Sequence, residues 1–173
     1  MDYEMALPIV TLSPARTSAM RLSDFDALSF DCYGTLIDWE TGIREALGPW
    51  LSSKGVDADH NEVMEVYAAC ESAQEEETPD MIYSELVANT LKRMADTWGV
   101  EATNAEAEAF GASIGDWPAF ADAPDALDYL KGHYKLFVLS NVNKASFARS
   151  NEKLGVEFDA VFTAEDIGSY KPD

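Results

Sequence analysis

The chain has 173 residues and a formal net charge of −20, from 32 acidic against 12 basic side chains. That length can bury one good core with a smaller inserted unit, and 47% hydrophobic and 11% aromatic residues describe an ordinary globular protein. The charge argues against nucleic acid and anionic membranes as partners, because both bind through basic patches.

No apolar run approaches membrane-spanning length and the amino terminus lacks the layout of a signal peptide, so a cytoplasmic protein is the expectation. Acidity of this degree suits a high-salt cytoplasm, where self-repulsion is screened. It also means that an anionic substrate needs a local cation inside a repulsive field. Cys32 and Cys70 are too few for a disulfide framework and lack metal-ligand spacing, and no metal site is expected.

Residues 1–22 show no hydrophobic period, hold Pro8 and Pro14, and read as a loose N-terminal extension. Residues 27–30 carry the signal of a first core strand, which stops abruptly at Asp31. A carboxylate at the carboxyl end of a buried parallel strand lies in the crevice where open α/β sheets bind ligands. Gly34 lets the following loop turn sharply, so that its peptide N–H groups point back toward whatever reacts with the carboxylate. An isolated Asp-x-x-Gly is usually a turn former or a helix cap; with the downstream pieces below it becomes a candidate nucleophile beside an anion cradle. Cys32 is expected to contribute its backbone N–H and packing rather than direct chemistry.

A helical pattern runs over residues 41–54, with Gly55 as its stop. From 57 to 116 the rhythm is almost wholly helical, with Val63, Val66, Tyr67 and Cys70 on one face. Glu75-Glu76-Glu77 reads as a solvated charge run at a break, and Pro79 suits a first helical position. Met81, Ile82, Leu86, Thr90 and Leu91 continue a longer helix to Trp98-Gly99, and residues 104–114 make a last short one. Several helices in succession without a strand describe an all-helical insertion rather than one continuous α/β layer. Core rhythm resumes after Trp117-Pro118: a helix over 124–133, a strongly buried strand over 135–139 ending in Ser140-Asn141, a helix over 144–154 stopped by Gly155, and a third strand over 158–163.

Phe30-Asp31-x-Tyr33-Gly34-Thr35-Leu36, then Ser140-Asn141 after a strand, then Gly168-Ser169-Tyr170-Lys171-Pro172 stand in an order and spacing that resemble the first three motifs of the haloacid dehalogenase (HAD) superfamily. The resemblance covers residues 22–173. It implies an α/β fold: a Rossmann-like HAD core with a parallel sheet, from residues 23–40 and 117–173, and an inserted helical cap, from 41–116. The superfamily's fourth motif and the last core elements have no counterpart, so the carboxyl-terminal part of the core is expected to be missing. One sheet edge would then be uncovered, and a homodimer is a possible consequence.

The resemblance also implies roles. Asp31 is the nucleophile, which must be ionised to attack, and Lys171 is the cation beside it. Ser140, Asn141 and Thr35 are the hydrogen-bond donors that orient carboxylate and substrate. Tyr33 stands where the superfamily's phosphatases carry a second aspartate as general acid and base. A phosphoester's leaving alkoxide needs that proton, whereas a halide leaves as a stable anion. Asp-x-Tyr-Gly-Thr-Leu is also the form shown by the (S)-2-haloacid dehalogenases; Tyr33 reads equally as an aromatic lining the pocket.

The expected reaction is hydrolytic dehalogenation of small 2-haloalkanoic acids through an aspartyl ester on Asp31, with no cofactor. The small anionic substrate would be gripped by N–H groups near Cys32 and by Ser140 or Asn141, with Trp39 excluding water and cradling the halide. The dehalogenases' substrate-gripping arginine falls where this chain shows Glu62 and its neighbours; Arg44 is the nearest candidate and reads also as a helix-surface charge. Two alternatives remain open: a phosphatase of the superfamily requiring Mg2+, and a non-catalytic protein that keeps the scaffold.

Overall fold

Leu136 and Val138, both fully buried on the central strand, set the middle of the molecule. In the computed structural model, which describes residues 21–171, three parallel strands lie in the order β1 (Ala27–Phe30), β2 (Lys135–Ser140), β3 (Ala160–Thr163). Phe30 pairs with Val138, and Ser140 with Thr163. The strands therefore end together on one side, and the residues following β1 and ending β2 meet there. This is the α/β, parallel-sheet architecture that the motifs imply.

One expectation about β2 fails. The apolar run reads as buried on both faces, but only Leu136, Val138 and Ser140 are buried. Leu139 and its partner across the ladder, Phe162, are 36% and 47% exposed. Strand alternation sends them to the opposite face, which is covered incompletely.

Between β1 and β2 the chain forms four helices: α1 (Trp39–Lys54), α2 (His60–Glu77), α3 (Tyr83–Thr97) and α4 (Asn104–Ala112). α3 packs against both α2 and α4. α1 starts two residues earlier than its period suggests, because the Asp38 carboxylate accepts the Thr41 N–H at 3.1 Å and caps it. α2 is capped in the same way by Asp59, and α4 by a Thr103–Glu106 capping box. Gly55 ends α1 in the left-handed conformation, as predicted.

Pro79 does not open α3. The Thr78 N–H and hydroxyl both bond back to the Gln74 carbonyl and finish α2. The chain then needs the turn through Pro79 and Asp80 to reverse, so Met81 and Ile82 lie outside the helix and Tyr83 begins it. α4 likewise gives way at Ala112 to a 3-10 turn, Ser113–Asp116. The remaining helices, α5 (Ala123–Lys131), α6 (Lys144–Leu154) and α7 (Ala164–Ile167), alternate with the strands.

One hydrophobic cluster runs through both parts, from Val63 and Leu91 in the inserted helices to Leu136 and Leu154. Among the described residues no helix is long and apolar enough to cross a membrane. The extension predicted over 1–22 lies outside the described residues except for Arg21 and Leu22, and Leu22 opens a 3-10 turn.

Gly42 in α1 marks the tightest contact between the inserted helices and the return to the core. A Cβ there would come 2.2 Å from Trp117 Cγ, inside a ring that is itself buried. Alanine at a helical glycine ordinarily gains up to about 1 kcal/mol, but overpacking costs about 1–3 kcal/mol. Gly42→Ala is therefore expected to lower the urea midpoint of unfolding. A midpoint equal to or above that of the unaltered protein would show that Trp117 yields freely.

Candidate active site

Asp31 begins the loop after β1, and Lys171 reaches it from 140 residues away. The Lys171 ammonium donates to Asp31 Oδ1 at 2.6 Å and to the Leu139 carbonyl at 2.9 Å. The backbone of Lys171 is held as well: its N–H donates to Asn141 Oδ1 at 2.7 Å, and Asn141 Nδ2 donates to its carbonyl at 3.4 Å. The side chains of Asp31 and Lys171 are 45% and 35% exposed. Ion pairs that open to water contribute only about 0–1 kcal/mol, so this one adds little to the stability of the fold.

The loop after Asp31 closes on one carbonyl. Cys32 O accepts N–H bonds from Thr35, Leu36 and Ile37 at 3.3, 2.7 and 3.0 Å, while the Gly34 N–H goes to Ile37 O at 2.8 Å. Gly34 has φ +93°, and a Cβ on it would stand 3.2 Å from the Trp39 indole nitrogen. The predicted sharp turn is present, but it uses up most of the predicted cradle. The amides of Cys32 and Tyr33 are the ones not drawn into it.

Cys32 is fully buried, and its thiol is pushed up to about 12 by burial and then by the charge of Asp31. It stays a thiol and gives the site an amide and packing. Tyr33 is tied down at both ends. Its hydroxyl shares a 2.9 Å hydrogen bond with Ser150, and its ring meets Trp117 edge-on at 5.8 Å. Burial pushes its phenol well above the ordinary range, so it remains protonated at neutral pH.

A cavity of about 300 Å³ opens over this pair. From the core side it is lined by Asp31, Tyr33, Trp117, Ser140, Asn141, Val142 and Lys171, with Trp39 at the start of α1. Ser140 is buried and accepts the Val142 N–H at 3.4 Å, which leaves its own proton to donate. Seven of the nine residues singled out from sequence therefore gather around the Asp31–Lys171 pair, Cys32 through its backbone.

Two do not. Thr35 is exposed and lies outside the cavity lining, because the turn closed on Cys32 O carries it to the loop's outer side. Arg44 is exposed on α1, bonds Thr41 Oγ1 at 3.5 Å, and lines a separate cavity with Asp38, Glu40 and His60. It is not among the residues that line the cavity over Asp31 and Lys171.

The inserted helices contribute three groups that sequence reasoning missed: Glu71, Glu75 and Tyr83. Glu71 Oε1 accepts hydrogen bonds from Tyr67 at 2.9 Å and Tyr83 at 2.5 Å. Burial raises the Glu71 carboxyl above its ordinary value against those two bonds, and burial together with Glu71 raises that of Glu75. Glu75 is thus no member of a solvated run, although Glu76 and Glu77 are exposed. The signal was available in the four-residue steps Val63, Tyr67, Glu71, Glu75, which continue the buried face of α2.

Among the described residues Lys171 is the one cation in the cavity lining, and no three acidic, histidine or cysteine side chains converge as metal ligands.

The sequence profile of the haloacid dehalogenase-like hydrolases matches residues 25–173. The chain belongs to that family. No curated protein matches it. Solved structures share the HAD fold at low identity. A defluorinating L-2-haloacid dehalogenase superposes with a TM-score of 0.74 at 20% identity, over 85% of this chain and 63% of its own. The L-2-haloacid dehalogenase of Xanthobacter autotrophicus, with chloropropionic acid covalently bound, gives 0.71 at 18%, over 85% and 60%. YfnB of Bacillus subtilis, described as a HAD-hydrolase and bound to magnesium, gives 0.70 at 19%, over 86% and 69%. This HAD-family chain therefore spans less than two thirds of the length of either dehalogenase.

Proposed function

We propose that this HAD-family chain is a hydrolytic dehalogenase acting on small 2-haloalkanoic acids, with Asp31 as its nucleophile. The carrying observation is the Lys171–Asp31 contact at the strand ends, read together with Tyr33, a protonated phenol committed to Ser150 in the place of a phosphatase's general acid. A site without that acid suits a leaving group that needs no proton.

In the first step an Asp31 oxygen attacks the halogen-bearing carbon from the side opposite the halogen. A C–O bond forms, the C–halogen bond breaks, and the halide departs with the electron pair. In the second step water attacks the Asp31 carboxyl carbon, releasing the 2-hydroxy acid, a proton and free Asp31. The substrate carboxylate would take the amides of Cys32 and Tyr33 and the Ser140 hydroxyl. Asn141 holds the backbone of Lys171 at both its polar atoms and acts mainly by placing that residue. The Trp39 and Trp117 rings exclude water from the reacting carbon. A covalent chloropropionic acid adduct in a structure of the same fold supports this reading.

The deciding measurement is mass spectrometry of the Asp31 peptide, quenched during turnover of (S)-2-chloropropionate. An alkyl adduct on Asp31 together with chloride release is the expected result. Neither chloride nor adduct, with magnesium-dependent phosphoester hydrolysis in their place, would overturn it.

Glu75 gives a graded check. An anionic substrate entering beside a second carboxylate meets repulsion of about 1 kcal/mol across a partly wetted cavity. Glu75→Gln is expected to lower KM for 2-chloropropionate about fivefold at pH 8, with kcat within about twofold. A raised KM would mean that Glu75 binds the substrate.

A further inference from the structure

We propose that Tyr170 is a positioning residue, one that seats the Lys171 ammonium on Asp31 by clasping the loop of the third motif to the start of α3. The inference rests on the reading of Asp31 and Lys171 above and extends it to a residue outside the cavity.

Lys171 has no strand or helix of its own to hold it. α7 ends at Gly168, which adopts φ +82°, and the chain from there to Lys171 is irregular. Two anchors fix this stretch. One comes from the core, through the Asn141 bonds to the Lys171 backbone. The other is Tyr170, which is only 8% exposed. Its hydroxyl donates to the Met81 carbonyl, and its ring meets Tyr83 edge-on at 6.2 Å. With Leu86 and Ala164 it forms a small buried cluster apart from the main core.

The partner side of the clasp belongs to the inserted helices. Met81 and Tyr83 flank the start of α3, and Tyr83 in turn gives its hydroxyl to Glu71 on α2. A continuous run of contacts thus leads from Glu71 through Tyr83 and Tyr170 to the residue that touches the nucleophile. Burial, with the charges of Glu75, Glu71 and Asp80, raises the Tyr170 phenol above its ordinary value, which keeps it a donor. A displacement of about 1 Å at a reacting group can cost a hundredfold in rate. A loop held at two points is the means by which this fold avoids that displacement.

Tyr170→Phe keeps the ring and removes only the bond to Met81; Tyr170→Leu keeps apolar bulk and removes both contacts. The first readout needs no turnover: acetylation of Lys171 by an N-hydroxysuccinimide ester, followed by peptide mass spectrometry of the full 173-residue chain. Lys135, exposed at the opposite end of β2, is the internal reference.

Labelling of Lys171 relative to Lys135 is expected to rise about fivefold in Tyr170→Phe and further in Tyr170→Leu. The second readout is kinetic: kcat for 2-chloropropionate falls about tenfold in Tyr170→Phe, KM stays within about twofold, and the thermal midpoint stays within about 2 °C. Unchanged relative labelling in both variants would overturn the clasp, as would a loss of kcat that only tracks the fraction unfolded. Should the unaltered chain release no chloride, the reading of the reaction fails while the labelling still decides the clasp.

Discussion

Asp31→Asn is expected to reduce chloride release from (S)-2-chloropropionate by about 10⁴-fold or more, the order found when a covalent nucleophile is removed. The substitution exchanges one oxygen for a nitrogen and changes almost nothing else. An amide fills the volume of the carboxylate, and its oxygen can still accept from the Lys171 ammonium, which now lies 2.6 Å from Oδ1. An amide, however, offers no anionic oxygen to a carbon–halogen bond, so no adduct should form on the peptide that contains residue 31. Stability should hardly move, because the side chain is 45% exposed and a solvated ion pair contributes only about 0–1 kcal/mol. An unfolding curve superimposable on that of the unaltered chain is therefore part of the prediction. Retained turnover in Asp31→Asn would mean that another group attacks, and Glu71 or Glu75 across the cavity would be next to examine.

How much of this was legible in the sequence depended on whether the signal was local. β1 occupies the predicted residues because an apolar run stops at a charged one, and α6 matches because Gly155 ends it in the left-handed conformation. The three motifs were legible as text, but only the parallel pairing of β1, β2 and β3 brings Lys171 to Asp31.

Direction was what the sequence concealed. Thr35 lies four residues after Asp31 in the chain, yet one carbonyl collecting three N–H bonds turns it outward. Arg44 lies more than one helical turn past Trp39, and it lines with Trp39 the cavity that includes His60 rather than the one over Asp31. Glu75 was misread because a run of three acids was judged by composition rather than helical phase. The start of α3 was misplaced because Pro79 fits both a first helical turn and the reversal that the Thr78–Gln74 bonds impose.

Lys171→Met is expected to be the second most damaging change, lowering kcat by about 10²–10³-fold, comparable to the loss of one preorganised charge-stabilising donor. Methionine retains most of the aliphatic stem and deletes the one group that joins Asp31 to the Leu139 carbonyl. No other cation lines the cavity among the described residues, so no neighbour can take over, while the carboxylates of Glu71 and Glu75 remain to repel an anionic substrate. Both steps should suffer, since the substrate approaches as an anion and the ester accumulates negative charge when water adds to it.

Arginine should rescue poorly, to less than about a tenth of the original rate. Its planar fork is longer and cannot reproduce a compact ammonium held between a carboxylate and a carbonyl. Rapid-quench measurement of ester formation and ester hydrolysis in Lys171→Met and Lys171→Arg would separate the two contributions. If Lys171→Met keeps kcat within tenfold of the unaltered chain, the 2.6 Å contact is a bystander and the site's activating charge must be sought elsewhere.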